Sequence, residues 1–330
     1  MNEVSEKSRI APLDEPSMAL AARLLNDGDL VAVPTETVYG LAADATNGTA
    51  VAAIFAAKGR PSFNPLISHV SGVAMAQELG EMNALAERLA RDFWPGPLTL
   101  VLPKANTCPV HDLALAGLDT IAVRLPDGPM RELAARLDKP IAAPSANLSG
   151  RISATSAQAV EKDLGKSVAL ILDNGPTPVG VESTIIAVDG DTLRLLRPGG
   201  VPLETIEEAI GQGVEGRDSQ DQVRAPGMLA SHYAPDMPVR LNAREVASHE
   251  ALLSFGSQSI PGQDQAAILI DLSPSGDLAE AAQNLFAAMR TINTHGASAM
   301  AVAPIPHTGL GAAINDRLAR AAAPKDVGHG

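Results

Sequence analysis

Two islands near the start of the chain carry residue types that can do chemistry. Pro34-Thr35-Glu36-Thr37-Val38-Tyr39-Gly40 follows the apolar run 30–33, and Lys58-Gly59-Arg60-Pro61-Ser62-Phe63-Asn64-Pro65-Leu66 leads closely to His69. Hydroxyls, a lysine, an arginine, an amide and an imidazole therefore sit on loops punctuated by Gly and Pro. Lysine as a point charge and arginine as a planar fork suit a small anion such as a nucleotide phosphate, at about 1.5–3 kcal/mol per charge-assisted bond. Simpler accounts stay open here. Thr35 and Thr37 could only satisfy their own turn, and Lys58 and Arg60 could only complement the C-terminus of a preceding helix.

Three later islands have the same mixed character. Thr120 and Arg124 lie four residues apart in Thr-Ile-Ala-Val-Arg, so on a strand they share a face, although such an arginine can equally reach solvent at a sheet edge. Pro144-Ser145-Ala146-Asn147-Leu148-Ser149-Gly150 follows a short apolar strand and precedes Ser153 and Thr155 at a helix start. That arrangement receives anions through backbone N–H groups, and the same letters describe an ordinary cap. Val179–Ile186 and Arg197-Pro198-Gly199-Gly200 bracket a hairpin, which brings Ser183 and Arg197 together, facing one pocket or simply solvated. There is no Walker A loop, GxGxxG, nucleophile elbow or Ser-His-Asp spacing, and Cys108 in Asn-Thr-Cys-Pro-Val has no cationic neighbour to activate it. Covalent catalysis is not expected.

Composition narrows the classes. The 330 residues predict about two domains, and 45% hydrophobic residues suffice for real cores. With 2% aromatic residues and a formal net charge of −13, neither base stacking nor a global positive field supports tight binding of long nucleic acid. An anion site must come from local clustering. One cysteine excludes an intramolecular disulfide and a multi-Cys zinc site, and seven scattered histidines give a transition-metal site no support. The N-terminus lacks the basic start and apolar stretch of a secretion signal, and no run approaches the ~18 apolar residues of a membrane span. A cytoplasmic location is the expectation.

The elements that must position these residues alternate. A capped helix from Pro16-Ser17 to Gly28 precedes strand 30–33, then come a helix at about 49–57, a strand at about 65–70 and helical material at 72–92. Strands 98–102 and 120–125, a helix at 130–137, a strand at 140–143, a helix after Ser156 and a strand at 168–172 continue the pattern. Thr184–Val188, the turn Asp189-Gly190-Asp191 and Thr192–Leu196 predict a hairpin, hence a mixed sheet, and a helix at about 203–210 closes the domain. The polar, glycine-rich stretch 211–224 reads as a linker. Apolar runs 266–272 and 299–303 with helices at about 277–293 and 310–323 predict a small second α/β domain.

In order, PTETVYGL, K-G-R-P-x-x-N-P-L with His69, I-A-V-R-L-P, P-S-A-N-x-S-G and V-x-S-T-I followed by R-P-G closely resemble the YrdC/Sua5 family of threonylcarbamoyl-AMP synthases over about 14–210. Ala225-Pro226-Gly227-Met228 with His232-Tyr233-Ala234-Pro235 resembles the linker of the two-domain Sua5 type. The resemblance implies an α/β fold: a YrdC-like twisted mixed sheet with flanking helices, plus a small Rossmann-like C-terminal domain. It divides the chain into a flexible start (1–13), a catalytic domain (14–210), a linker or lid (211–238) and a Sua5 C-terminal domain (239–330).

The implied reaction joins L-threonine, bicarbonate and ATP into threonylcarbamoyl-AMP and pyrophosphate, supplying the t6A modification at adenosine 37 of tRNA. By motif position, Thr35, His69, Arg124, Ser145 and Ser183 would hold threonine. Lys58, Arg60, Asn64, Thr120, Asn147, Thr155 and Arg197 would hold ATP, with Tyr233 folding over it from the linker and Lys58 and Arg60 carrying the catalytic charge stabilisation. Mg²⁺ is expected on the ATP phosphates, with Glu36 and Glu182 as outer helpers. A functional hand-over to the t6A transferase complex is implied, with no stable nucleic-acid complex and no membrane. Two features depart from the pattern: Leu229-Ala230-Ser231 stands where such linkers often carry basic or aromatic residues, and the C-terminal domain is short, at about 90 residues.

Two alternative readings fit parts of the same sequence. One is an RNA-binding module of the same fold without catalysis, which the acidic charge and scarce aromatics disfavour. The other is the carbamoyl-adenylating domain of the hydrogenase-maturation carbamoyltransferases, whose acylphosphatase and cysteine-rich regions have no counterpart here.

Overall fold

The computed structural model describes residues 9–216 and 232–324. The sequence elements Ala225–Met228 and Leu229–Ser231 lie outside the described residues.

In the first domain the strands are β1 Ile10–Pro12, β2 Val31–Val33, β3 Gly40–Asp44, β4 Ile67–His69, β5 Leu98–Pro103, β6 Thr120–Arg124, β7 Ile141–Ala142, β8 Leu170–Asp173, β9 Thr184–Asp189 and β10 Thr192–Arg197. Its helices are α1 Glu15–Asp27, α2 Gly48–Lys58, α3 Val73–Leu79, α4 Ala84–Phe93, α5 Asp112–Leu115, α6 Pro129–Leu137, α7 Ala157–Leu164 and α8 Leu203–Ile210. Local signals set their ends. Asp14 caps α1 by accepting the Ser17 N–H at 2.9 Å, and Gly28 at φ +91° closes it. Asn47 caps α2, which Gly59 ends at φ +58° so that the chain turns sharply after Lys58.

One ten-stranded mixed sheet results, in the order β1-β8-β2-β3-β7-β4-β6-β5-β9-β10. Alternating residues feed two faces: Ala32, Leu41 and Ala43 join the larger core, while Val31, Val33 and Ala42 pack with Met18, Leu25 and Leu133 of α1 and α6. Farther along the sheet, Ile67, Val101, Ala122, Ile185, Ala187 and Leu196 form a separate apolar cluster built from strand residues alone.

The second domain comprises β11 Val239–Arg240, β12 Glu250–Ser254, β13 Ile268–Asp271 and β14 Ala299–Val302, with helices α9 Leu278–His295 and α10 Leu310–Ala322. Its sheet is parallel, in the order β11-β14-β12-β13. The expected mixed α/β architecture with a small α/β second domain is thus present. The domains share a core, because Val38, Ile152 and Val181 of the first cluster with Tyr233 and with Leu285 and Phe286 of α9. Gly180, at φ +77°, lies so close to the backbone of Ala282 and Gln283 that a Cβ there would clash at 2.3 Å. Arg290 of α9 donates to the Ser153 carbonyl at 3.1 Å and pairs with Asp163 at 2.6 Å.

Several elements differ from the sequence reading. Within the expected flexible start, Ile10–Pro12 pairs in parallel with β8 as the edge strand of the sheet. The first island is not simply the end of a strand. It connects β2 to an unforeseen antiparallel strand, β3, with Val33 opposite Gly40. At the start of the expected linker, Glu215 exchanges backbone hydrogen bonds with Leu193 and Leu195 at 2.9 and 2.8 Å, extending the edge of β10. In the second domain β12 is an addition to the expected elements: Glu-Ala-Leu-Leu-Ser is short and shows no period-2 alternation, although the turn at Gly256-Ser257 ends it.

Candidate active site

The islands meet in one cavity of about 50 Å³ against the first sheet, lined from different elements by Thr35, Arg60, His69, Arg124, Ser183 and Arg197, among others. Tyr39 explains how the first island is held. Its ring is fully buried, its hydroxyl donates to the Gly175 carbonyl at 2.9 Å, and its backbone bonds to Ala154 and Ala146 at 2.9 and 2.7 Å. The 34–40 loop is thereby fastened to the 144–147 loop and to the segment that enters α7. Thr35 does satisfy its own turn, donating to the Val38 carbonyl at 2.7 Å, and it also lines the cavity.

Register places the next pair. His69 of β4 lies opposite Arg124 of β6, so imidazole and guanidinium emerge side by side. Arg124 is buried rather than reaching solvent: it donates to Thr37 Oγ1 at 3.0 Å and to the Gly96 carbonyl at 3.2 Å, and pairs with Glu36 at 2.7 Å. Burial, aided by Arg124, pushes the His69 pKa down to about 3, so the ring is neutral at neutral pH, and its Nδ1 has no partner. Ser145 joins this side through an antiparallel bridge to Gly40.

On the other side, Ser183 and Arg197 meet as the hairpin predicts. Arg197 donates to Ser183 Oγ at 3.1 Å and to its carbonyl at 2.9 Å, and Ser183 Oγ also lies 2.8 Å from Thr99 Oγ1. Gly199 makes this possible, since a Cβ there would strike the 182–184 backbone at 2.3 Å. Arg60 bonds to the carbonyls of Asn64 and Pro65 at 3.3 and 3.0 Å, which fixes the second island around its own guanidinium. Burial lowers the pKa of Arg60 and of Arg197 to about 10, so both stay charged at neutral pH.

Five expected residues do not line the cavity. Lys58 is 3% exposed and its Nζ donates to the Ser145 carbonyl at 2.6 Å and to the Asn147 carbonyl, so it serves neither solvent nor its own helix end. Burial, followed by the nearby Arg60 charge, holds its pKa well below the usual lysine value. Asn147 spends its amide N–H groups on the Leu148 and Arg151 carbonyls, at 2.7 and 3.0 Å, and leaves Oδ1 unpartnered, as does buried Asn64. Thr155 lines a neighbouring interdomain cleft of about 600 Å³. Thr120 starts β6, on the same face as Arg124 and about 13 Å along the strand from it.

His232 and Tyr233 line the cavity from the second domain's side. Tyr233 is 1% exposed and holds φ +62°, a left-handed conformation that costs a non-glycine residue about 1–3 kcal/mol. Its ring stacks on Phe286 with centroids 5.4 Å apart. Sequence reasoning gave Glu182 no firm place and missed Arg317. Glu182 lines the cavity, accepts the Ser153 hydroxyl at 2.6 Å, and pairs with Arg317 Nε at 2.7 Å. Despite its burial, the Arg317 and Arg197 charges hold its pKa down to about 2. A signal existed for Arg317: it falls on the buried stripe of α10 between Ile314 and Leu318, where a lone arginine needs a partner. Among the described residues, no group of three or more His, Cys, Asp or Glu side chains is arranged to hold a metal, and no helix is long and apolar enough to cross a membrane.

Fold and site together define a two-domain α/β protein with a cationic, hydroxyl-rich pocket closed by its second domain. The chain belongs to the Sua5/YciO/YrdC family: that family's profile, described as "Telomere recombination", matches residues 23–199, and one described as "Threonylcarbamoyl-AMP synthase, C-terminal domain" matches residues 201–323. It is similar to the threonylcarbamoyl-AMP synthase of Pyrococcus abyssi, 41% identical over 94% of this chain and 95% of that one. The Bacillus subtilis protein of the same name is 38% identical, over 94% of each chain. The crystal structure of P. abyssi Sua5 complexed with L-threonine superposes with a TM-score of 0.83, covering 95% of this chain and 96% of that one at 38% identity.

Proposed function

We propose that this protein is an L-threonylcarbamoyladenylate synthase. The carrying observation is that Thr35, His69, Arg124, Ser145 and Ser183 surround one cavity in a chain that superposes along nearly its whole length on a Sua5 complexed with L-threonine. In this reading Arg124 takes the threonine carboxylate, and the neutral His69 with the hydroxyls of Thr35, Ser145 and Ser183 orients its amine and hydroxyl. The amine attacks bicarbonate carbon with loss of water, giving a carbamate. A carbamate oxygen then attacks the α-phosphorus of ATP, and pyrophosphate leaves.

No protein nucleophile is needed. Arg60 and Arg197 face the developing phosphate charge, and Lys58 stiffens the loop carrying Ser145 and Asn147, so catalysis rests on positioning and electrostatic stabilisation. Asn64, Asn147, Thr155 and Thr120 complete the nucleotide track, the last reached by the far end of the extended nucleotide. Tyr233 is the roof of that track. A cavity of about 50 Å³ is far below the roughly 300 Å³ that a drug-sized ligand needs, so the 232–236 segment moves to admit ATP. Mg²⁺ arrives as Mg·ATP, since Glu36 and Glu182 are already held by Arg124 and Arg317. The product is an activated threonylcarbamoyl group, to be consumed by a cytoplasmic transferase acting on tRNA adenosine 37.

The test is pyrophosphate release from ATP with threonine and bicarbonate supplied together or singly. Release that needs both supports the reading. No release, together with salt-sensitive RNA binding, favours the RNA-binding alternative instead.

A further inference from the structure

Behind two of the residues that line the cavity, Glu182 and Tyr233, lies a buried side chain of the second domain. Arg317 projects from α10 and is 0% exposed. Its Nε pairs with Glu182 at 2.7 Å, its Nη1 with Asp316 at 2.6 Å, and its guanidinium carbon lies 5.3 Å from the centre of the Tyr233 ring. Glu182 precedes Ser183, whose hydroxyl and carbonyl are held by Arg197. A charge from the second domain is therefore linked to two residues that line the cavity.

Removing that charge would take from buried Glu182 its ion-pair partner at 2.7 Å, leaving it the Ser153 hydroxyl and the more distant Arg197 charge, and would take from Tyr233 one of the groups packed on its ring. Arg317 also keeps an unpartnered Nη2 in a fully buried position. Leaving such a donor unmade is costly, so the position of this guanidinium is fixed by the demands of its Glu182 and Asp316 pairs.

Resting on the synthase reading above, we propose that Arg317 is a positioning residue for adenylation: from the second domain it fixes Glu182 and Tyr233, two residues of the cavity wall, and so sets the closed geometry around the nucleotide. His69 and Arg124 of the threonine side are set by the β4–β6 register rather than by this link.

The test uses the full chain with Arg317→Met, Arg317→Lys, Glu182→Gln and the pair Arg317→Met with Glu182→Gln. Pyrophosphate release gives kcat and KM for ATP, and calorimetry gives threonine affinity. The expected result is a fall in kcat/KM for ATP of about 10–100-fold in Arg317→Met, the scale of a displaced catalytic geometry, with threonine affinity retained. Arg317→Lys recovers part of the loss, and the losses of Arg317→Met and Glu182→Gln do not add. Parental kcat/KM for ATP in folded Arg317→Met overturns the proposal, and so does an equal fall in threonine affinity, which marks a merely structural residue. If Arg317→Met fails to fold, Arg317→Lys decides, because it keeps the buried charge and loses the fork. Unimpaired turnover in that variant overturns the proposal. Absence of pyrophosphate release in the parent protein would instead count against the synthase reading itself.

Discussion

The two sides of the cavity are built differently. The side bearing Thr35, His69 and Arg124 comes from strand register and one stapled loop: His69 lies opposite Arg124, and Tyr39 locks the 34–40 connection. The side bearing Arg60, Arg197 and Tyr233 is assembled from a loop, a hairpin end and a segment pressed down by the second domain. One side is formed by residues of the first domain, and the other is completed by Tyr233 where the two domains meet. Such a division suits an enzyme that must hold a small amino acid firmly yet admit and release a bulky nucleotide.

This contrast can be broken experimentally. The largest effect is expected from Arg60→Ala, which should lower pyrophosphate turnover about 100-fold, as for a lost transition-state donor, with threonine binding by calorimetry retained. Lys58→Ala should lose as much and, because Lys58 braces Ser145 from behind, should weaken threonine binding too. Tyr233→Ala should cost roughly tenfold, mainly in KM for ATP, since it removes a roof and no charge.

Smaller effects concern stability. Arg290→Ala should leave the threonine side untouched and lower the thermal midpoint, costing about 1–3 kcal/mol for the unsatisfied Asp163 and carbonyl partners at the interface. The mildest at working pH is acid sensitivity. His69 and His232 both have folded pKa values lowered by burial to about 3 from 6.5, so the unfolded chain binds more protons between those values. Their contribution is full above pH 6.5 and falls as pH drops toward 3. Glu182, depressed to about 2 from 4.5, adds a loss only below pH 4.5. Denaturant midpoints measured from pH 7 down to 4 should therefore decline, and His69→Gln and His232→Gln should each flatten the slope.

The same contrast governs what the sequence made legible. Strand-borne pairs could be read from alternation and spacing: Arg124 on one face of β6, and Ser183 meeting Arg197 through the Asp-Gly turn at 189–190. The order of the five islands indicated the family, although no single island distinguished a ligand site from an ordinary turn. Thr35 turned out to be both, bonding its own turn and lining the cavity. Lys58 was legible as a site cation but not as a brace, because its partners are carbonyls 87 and 89 residues away. Tertiary pairing also decided β1, β3 and β12, short strands whose local propensities are weak. Arg317 lay hidden because its partner Glu182 is 135 residues distant, and only a charge on an apolar helical stripe marked it.

The measurement that tests the account most directly is mass analysis of the product formed from ATP, L-threonine and isotopically labelled bicarbonate. The account predicts an adenylate that contains threonine and carries the label in its carbamoyl carbon, formed in step with pyrophosphate. Pyrophosphate without label in an adenylate, or an adenylate formed equally well without bicarbonate, would contradict it.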